Sequence, residues 1–222
     1  MNVITLEKKI FKKNDEIAND IKNILKEKNI FLINILSSPG SGKTSLLEKT
    51  IDFLHDKIKI AVIEGDIQTD LDAQRIAKHN VPVIQIVTHG TCHLEANLVK
   101  ECIEQLKLDE LNLIVIENVG NLICPSSYDL GENLKVVAIS TSEGDDKPLK
   151  YPAIFRNASV MIVNKVDLLP YVPFSIEKVK ANALSINPNL LIFETSCTTG
   201  IGIENWCNWL KEICHKNLNE KL

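Results

Sequence analysis

The stretch Ser37-Ser38-Pro39-Gly40-Ser41-Gly42-Lys43-Thr44 lies between an apolar, β-rich run, Phe31–Ser38, and a helical pattern that starts at Gly42. A phosphate-binding loop requires that placement, between a strand and a helix. Gly40 and Gly42 let backbone N–H groups converge on a β-phosphate without Cβ clashes. Lys43 brings positive charge to the β- and γ-oxygens, the Thr44 hydroxyl suits Mg²⁺, and the helix N-terminus adds its partial positive charge. The expected phosphate contacts are Ser38, Gly40, Ser41, Gly42, Lys43, Thr44 and Ser45. The general pattern opens with Gly, and this chain has Ser37 there. The structural alternative is a glycine-rich turn that merely caps a helix, but Gly-Lys-Thr directly behind a strand favours the phosphate reading.

Working outward, apolar strand-like runs alternate with helical periods. Strands are expected at Lys59–Asp66, Val83–Val87, Leu111–Glu117, Leu134–Ile139, Val160–Asn164 and Leu190–Thr195. Helices are expected at Leu71–His79, His93–Leu106, Ile176–Ser185 and Ile203–Lys216. Upstream, Ile17, Ile21, Ile24 and Leu25 give Asn14–Lys28 a helical period with charges between. Apolar strands separated by helices predict an α/β, three-layer P-loop NTPase fold, with a mostly parallel central sheet flanked by helices and an N-terminal helix. There are no repeats or linkers, so residues 1–222 read as one domain, with 1–29 as a helical arm and 30–222 as the core.

Purine choice is carried by Asn164-Lys165-Val166-Asp167. The Asp167 carboxylate can accept from guanine N1–H and the 2-amino group, a pair that adenine lacks, so adenine would leave a buried charge unpaired. Ser196 and Cys197, in the loop after the last strand, could brace the base. An Asp closing a loop is the plain alternative for Asp167. GTP or GDP is therefore the expected nucleotide.

For Mg²⁺, Asp66 and Glu117 each end a strand and join Thr44 as candidates; either could hold a metal-bound water or position the attacking one. With Lys43, Asp66 is the expected catalytic residue, although both acids also read as loop caps. Asp70 and Asp72 are weaker, because one of them can cap the Leu71–His79 helix; that helix entry is a candidate nucleotide-sensing switch. The only arginines are Arg75 and Arg156. With neither obviously poised for hydrolysis, turnover is expected on the order of 10⁻⁴ to 10⁻² per second.

A second constellation is made of sulfur and nitrogen. Cys92 and His93 are expected to open a helix, where the thiol pKa should fall, and Cys124 follows the strand ending at Glu117. Both loops should leave the sheet edge that carries the nucleotide. Two thiolates and an imidazole suit Ni²⁺ or Zn²⁺. Adjacent residues on a helix point about 100° apart, so one rigid protomer is expected to struggle to present both, whereas a two-fold dimer would supply a second set. A buried cysteine beside a loop histidine is the structural alternative. His89 could assist. Cys207 and Cys214 fall on a helical core stripe, and Cys102 reads as packing.

The rest of the composition sets limits. Of 222 residues, 45% are hydrophobic and 24% charged, which is ordinary for a globular domain. A net charge of −4 argues against a nucleic-acid partner. No apolar run is long enough to span a bilayer, and MNVITLEKKI lacks the apolar core of a signal peptide, so a membrane role is not expected and the cytoplasm is. In that reducing compartment the six cysteines are not expected to form disulfides, which favours metal or catalytic roles.

Taken in order, SSPGSGKTSLLE, EGDIQTDLDA, GTCHLEA, ENVGNLICPSSYDLGE, YPAIFRNA and NKVDLLPY resemble the HypB family of nickel–iron hydrogenase maturation GTPases, from about Ile30 to the C-terminus. Ser37 is typical of that family. The resemblance implies a dimerising GTPase of the signal-recognition and MinD-like class, with Cys92, His93 and Cys124 as a metal site at the dimer interface. It implies GTP-dependent nickel delivery to a hydrogenase large-subunit precursor, with a HypA-type metallochaperone as partner. An N-terminal cysteine-rich motif and a histidine-rich stretch, found in some relatives, are missing. The urease accessory GTPases are the nearest alternative, but they are expected to join Cys, Pro and His, where this chain has Cys124-Pro125-Ser126. A small-molecule kinase would give no reason for NKVD, and a non-enzymatic metal-binding or redox module on the same fold would show no GTP turnover.

Overall fold

The computed structural model describes residues 6–219. Residues 1–5 of the opening MNVITLEKKI stretch, and 220–222, lie outside the described residues. Seven strands form one sheet: β1 Phe31–Ser37, β2 Ile60–Asp66, β3 Val83–Val87, β4 Leu113–Glu117, β5 Leu134–Ser140, β6 Val160–Asn164 and β7 Leu191–Glu194. Their order is β3-β2-β4-β1-β5-β6-β7, and all six pairings are parallel. The expected parallel sheet is thus parallel throughout. Its order turns at β1, with β2 to β4 on one side and β5 to β7 on the other, and such a switch point opens a crevice at the C-terminal strand ends.

β1 shows why the sheet is covered on both faces. Phe31, Ile33 and Ile35 pack in one apolar cluster with α2 (Lys43–Leu54) and α8 (Ile203–Asn219). Leu32, one residue out of phase, joins α1 (Leu6–Lys28) and α4 (Ala96–Gln105) in another. The two-residue period of a strand places neighbours on opposite faces, so a run apolar at both must be buried on both sides. A third cluster packs Leu36, Val137 and Ile139 against α6 (Pro152–Asn157) and α7 (Ile176–Ile186). Between α2 and α8, the fully buried Trp206 donates its indole N–H to Thr50 Oγ1 at 3.0 Å, which satisfies the one polar atom its ring carries inside.

Three local expectations change. α1 starts at Leu6 rather than Asn14. α4 starts at Ala96 rather than His93, because His89 and Gly90 are left-handed and Glu95 is extended. Leu94 there is plugged against Gly65, where a Cβ would stand 2.8 Å from Leu94 Cδ1. Finally, α5 (Lys147–Lys150) and α6 occupy a stretch without an expected helix; each carries a proline in its first turn, the position proline tolerates. Among the described residues no helix is long and apolar enough to cross a membrane.

Trp206→Ala should lower the unfolding free energy by about 3–5 kcal/mol. Partly buried Trp209 should cost clearly less. Urea unfolding followed by far-ultraviolet circular dichroism checks this, and equal losses would contradict the packing described.

Candidate nucleotide and metal sites

The phosphate loop is held by what lies behind it. Gly42 caps α2 with φ 92, a conformation that disfavours any side chain. A Cβ there would also meet Asn164 Nδ2 at 2.5 Å. Gly42 is therefore required twice over, for its backbone angle and for its missing atom. Asn164, fully buried at the end of β6, donates to the Ser41 carbonyl at 3.0 Å, while Lys165, itself left-handed, donates to the Gly40 carbonyl at 2.6 Å. The Asn164–Asp167 loop, expected to read the base, and the loop expected to cradle phosphate are thus bonded to each other.

A cleft of about 540 Å³ opens over this loop, lined by Gly40, Lys43, Thr44, Asp66, Asp72 and Lys165 among others. The Thr44 hydroxyl donates to Glu117 Oε1 at 2.7 Å, leaving its lone pairs for a cation. Glu64 and Asp72 complete a cluster in which one carboxylate oxygen of each, with one of Glu117, lie within 4.8 Å of one another. Burial pushes both the Glu64 and Glu117 carboxyls up, and for Glu64 the negative Glu117 adds to it. Buried oxygens of Glu64, Glu117 and Ser41 lack a hydrogen-bond partner among the described residues. Unsatisfied acid oxygens beside a lysine and a threonine hydroxyl fit a bound nucleotide with Mg²⁺. Glu64 was not singled out from the sequence, since a carboxyl inside KIAVIEGD reads as one more strand residue.

Asp66 lines the cleft, but its Oδ1 accepts from Gln68 N, Thr69 N and Thr69 Oγ1 at 2.9, 2.7 and 3.2 Å. Burial pushes this carboxyl up, yet those bonds and the Lys43 charge outweigh burial and hold it below its ordinary range. It therefore caps the 66–69 turn with one oxygen. Ser45 accepts from Arg75, and Ser38 from Lys147. Arg75 is also held by Glu48 and Asp72, while Arg156 is exposed on α6, so neither guanidinium is free at the phosphate end.

On the base side Asp167 is half-buried in the first turn after Lys165. Thr195 Oγ1 and Cys197 Sγ both approach Asn164 Oδ1, at 3.1 and 3.5 Å. The Ser196 hydroxyl accepts from Thr199 N at 3.1 Å, so it shapes its own loop. That loop also needs Gly202, left-handed with φ 71, because a Cβ would stand 1.8 Å from the Glu194 carbonyl.

Cys92, His93 and Cys124 come together in one protomer, their ligand atoms within 4.8 Å of each other. The two thiols lie 2.7 Å apart, and His93 Nδ1 lies 3.9 Å from Cys92 Sγ. The expectation that Cys92 and His93 would diverge assumed a helix. They stand instead on the bent segment before α4, where neighbouring side chains can converge. The same change removes the helix-start effect on the thiol: its hydrogen bond to Cys124, then burial, pushes Cys92 up rather than down. Burial pushes His93 down, toward the neutral imidazole that binds metals, and its ring stacks on Tyr128 with centroids 4.0 Å apart. One imidazole nitrogen and two sulfurs fit a soft or borderline divalent ion such as Ni²⁺ or Zn²⁺. His89 lies outside this cluster. Cys102, Cys207 and Cys214 are buried, as their helical positions suggested.

The two sites share a wall. Val119 and Gly120 line the nucleotide cleft, and Cys124 follows four residues later. Asn121 Nδ2 reaches the Cys92 carbonyl at 3.4 Å. Both ends of the segment are fastened to Asn34 of β1: Asn118 donates to Asn34 Oδ1 at 3.2 Å, and Asn34 donates to Glu132 Oε1 at 3.4 Å.

Comparison with known proteins places this geometry. Residues 31–194 match the model of the CobW/HypB/UreG nucleotide-binding domain. Hydrogenase maturation factor HypB of Escherichia coli K12 is 46% identical over 209 residues, covering 94% of this chain and 72% of that protein. The probable HypB of Methanocaldococcus jannaschii is 40% identical over 212 residues, covering 96% of each. The crystal structure of HypB from Helicobacter pylori in complex with nickel superposes with a TM-score of 0.88 at 40% identity, covering 92% of this chain and 96% of that one. A matched domain model, a relative alignable along nearly its whole length and a shared fold agree: the chain belongs to the HypB family of hydrogenase maturation factors.

Proposed function

We propose that this protein is a GTP-hydrolysing metallochaperone that assists nickel insertion into the large subunit of a nickel–iron hydrogenase. The observation that carries this reading is the shared wall, since a Cys-His-Cys donor set and a guanine-type nucleotide cleft use one segment between Asn118 and Glu132. Residues 30–222 act as the GTPase unit and 1–29 as a helical arm. Lys43 and the Gly40–Gly42 backbone bind phosphate, Asp167 selects guanine, and Thr44 with Glu117 or Asp66 would hold Mg²⁺, which supplies charge neutralisation at the β- and γ-oxygens. Nickel is the cargo at Cys92, His93 and Cys124, and Zn²⁺ can compete for the same donors.

Nucleotide-controlled dimerisation completes the reading. Ile67, Leu71, Ile123, Leu149 and Tyr171 are exposed, and each follows the C-terminal end of a strand. Apolar side chains gathered on the edge that carries both sites suit a face that a second copy covers. A HypA-type metallochaperone and the hydrogenase large-subunit precursor are the proposed donor and client, in the cytoplasm. With Arg75 committed to Glu48 and Asp72, intrinsic turnover on the order of 10⁻⁴ to 10⁻² per second follows. A single-turnover rate far above that would refute it.

Two outcomes test the reading. Ni²⁺ affinity, measured by chelator competition with GDP and with a non-hydrolysable GTP analogue, should differ by about fivefold or more. Equal affinities would leave the nucleotide no coupling energy to drive release. Asp167→Asn should weaken GTP by about 1.5–3 kcal/mol, on the order of 10- to 150-fold. It should favour xanthosine triphosphate, whose C2 carbonyl accepts from the new amide. Unchanged preference in a fluorescent-nucleotide competition would remove Asp167 from the base site.

A further inference from the structure

α1 grips the metal-ligand segments with polar and aromatic side chains that its apolar packing does not require. Ala18, Ile21 and Leu25 bury its stripe in the core. Asn14, only 6% exposed, makes two bonds elsewhere. Its Oδ1 accepts from the buried Ala96 backbone N–H at 2.9 Å, and its Nδ2 donates to the Asp129 carbonyl at 2.8 Å. Ala96 is the first residue of α4, and the residue before it, Glu95, offers no side-chain cap. A helix leaves its first N–H groups without intrahelical partners, and here the missing acceptor comes from a residue 82 positions away.

The two bonded residues are placed to matter. Ala96 follows His93 by three residues, and Asp129 follows Cys124 by five. Asn14 is thus a tie between the segment that carries Cys92 and His93 and the segment that carries Cys124. Neighbours on α1 act on the same pieces. Lys22 pairs with the Asp129 carboxylate at 2.5 Å. The Phe11 ring lies 5.1 Å from Tyr128, which stacks on His93. An apolar residue at position 14 would leave a buried N–H without its partner and release the two segments from each other.

We infer that Asn14 is a positioning residue for the Cys92/His93/Cys124 cluster, holding its two ligand-bearing segments at metal-binding separation. The inference rests on the reading of that cluster as a metal site. Partners that orient metal ligands typically change affinity 10- to 100-fold when removed. The test uses the full chain and Co²⁺ as a spectroscopic probe, with Zn²⁺ affinity measured by chelator competition. Asn14→Ala should weaken Zn²⁺ about tenfold and shift the thiolate-to-cobalt absorption, with GTP affinity within about twofold of wild type. Asn14→Asp should fold well, because a carboxylate still caps α4, yet it cannot donate to the Asp129 carbonyl, so it should lose affinity too. Leu25→Ala removes core packing from the same helix away from the cluster. It should lower the thermal midpoint and leave metal affinity unchanged. Wild-type affinity in both Asn14 variants would overturn the inference, as would an equal affinity loss in Leu25→Ala. A wild-type chain that shows no thiolate-to-cobalt absorption would instead overturn the metal reading itself.

Discussion

The contact on which the rest depends is the one between Gly42 and Asn164. A left-handed glycine is pressed so closely to an asparagine amide that no Cβ fits between them. The same amide holds the Ser41 carbonyl, and its oxygen receives Thr195 and Cys197 from the next loop. Three loops from the ends of β1, β6 and β7 therefore form one solid piece. The Gly40–Gly42 and Asn164–Asp167 loops thus brace each other, which is what preorganised recognition of the proposed nucleotide needs. Asn164 itself lies 1% exposed, so its polar atoms depend wholly on these partners.

The other half of the crevice carries the Cys92, His93 and Cys124 donor set. The segment from Asn118 to Glu132 starts beside the acid cluster under the phosphate end and passes through Cys124. Val119 and Leu130 sink into the apolar cluster beneath α1 and α4, Leu122 into the one beneath α6 and α7, and Asn34, Asn121 and Asn14 add hydrogen-bonded ties. Glu117, bonded to the Thr44 hydroxyl, lies seven residues before Cys124. The phosphate loop and the Cys-His-Cys donor set thus share one wall, the arrangement that the proposed nucleotide-driven transfer needs.

The layers of the fold were legible because seven apolar runs of strand length alternate with helical periods, a pattern that leaves few solutions. The phosphate loop was legible for the same reason, since its glycines and lysine stand in an ordered context. The stretch around Cys92 departs from its expected helix because His89 and Gly90 are left-handed and Glu95 is extended, with Leu94 plugged against Gly65, none of which the helical look of CHLEANLVK reports. Glu64 was hidden in a strand, and the role of Asn14 depends on partners 82 and 115 positions away, a distance no local pattern reports. Short helices opened by proline were hidden too, because Asp-Lys-Pro and Tyr-Pro read first as loop.

In the proposed function, nucleotide and nickel occupy two ends of one mechanical unit. The most direct measurement follows both in a single sample: protein loaded with nickel and GTP is mixed with a colorimetric chelator, and GDP formation and nickel release are timed together over one turnover. If the two sites are coupled through the shared wall, nickel should leave with the rate constant of hydrolysis, and a non-hydrolysable analogue should hold it back. Nickel released at the same rate with GTP, with the analogue and without nucleotide would contradict the account.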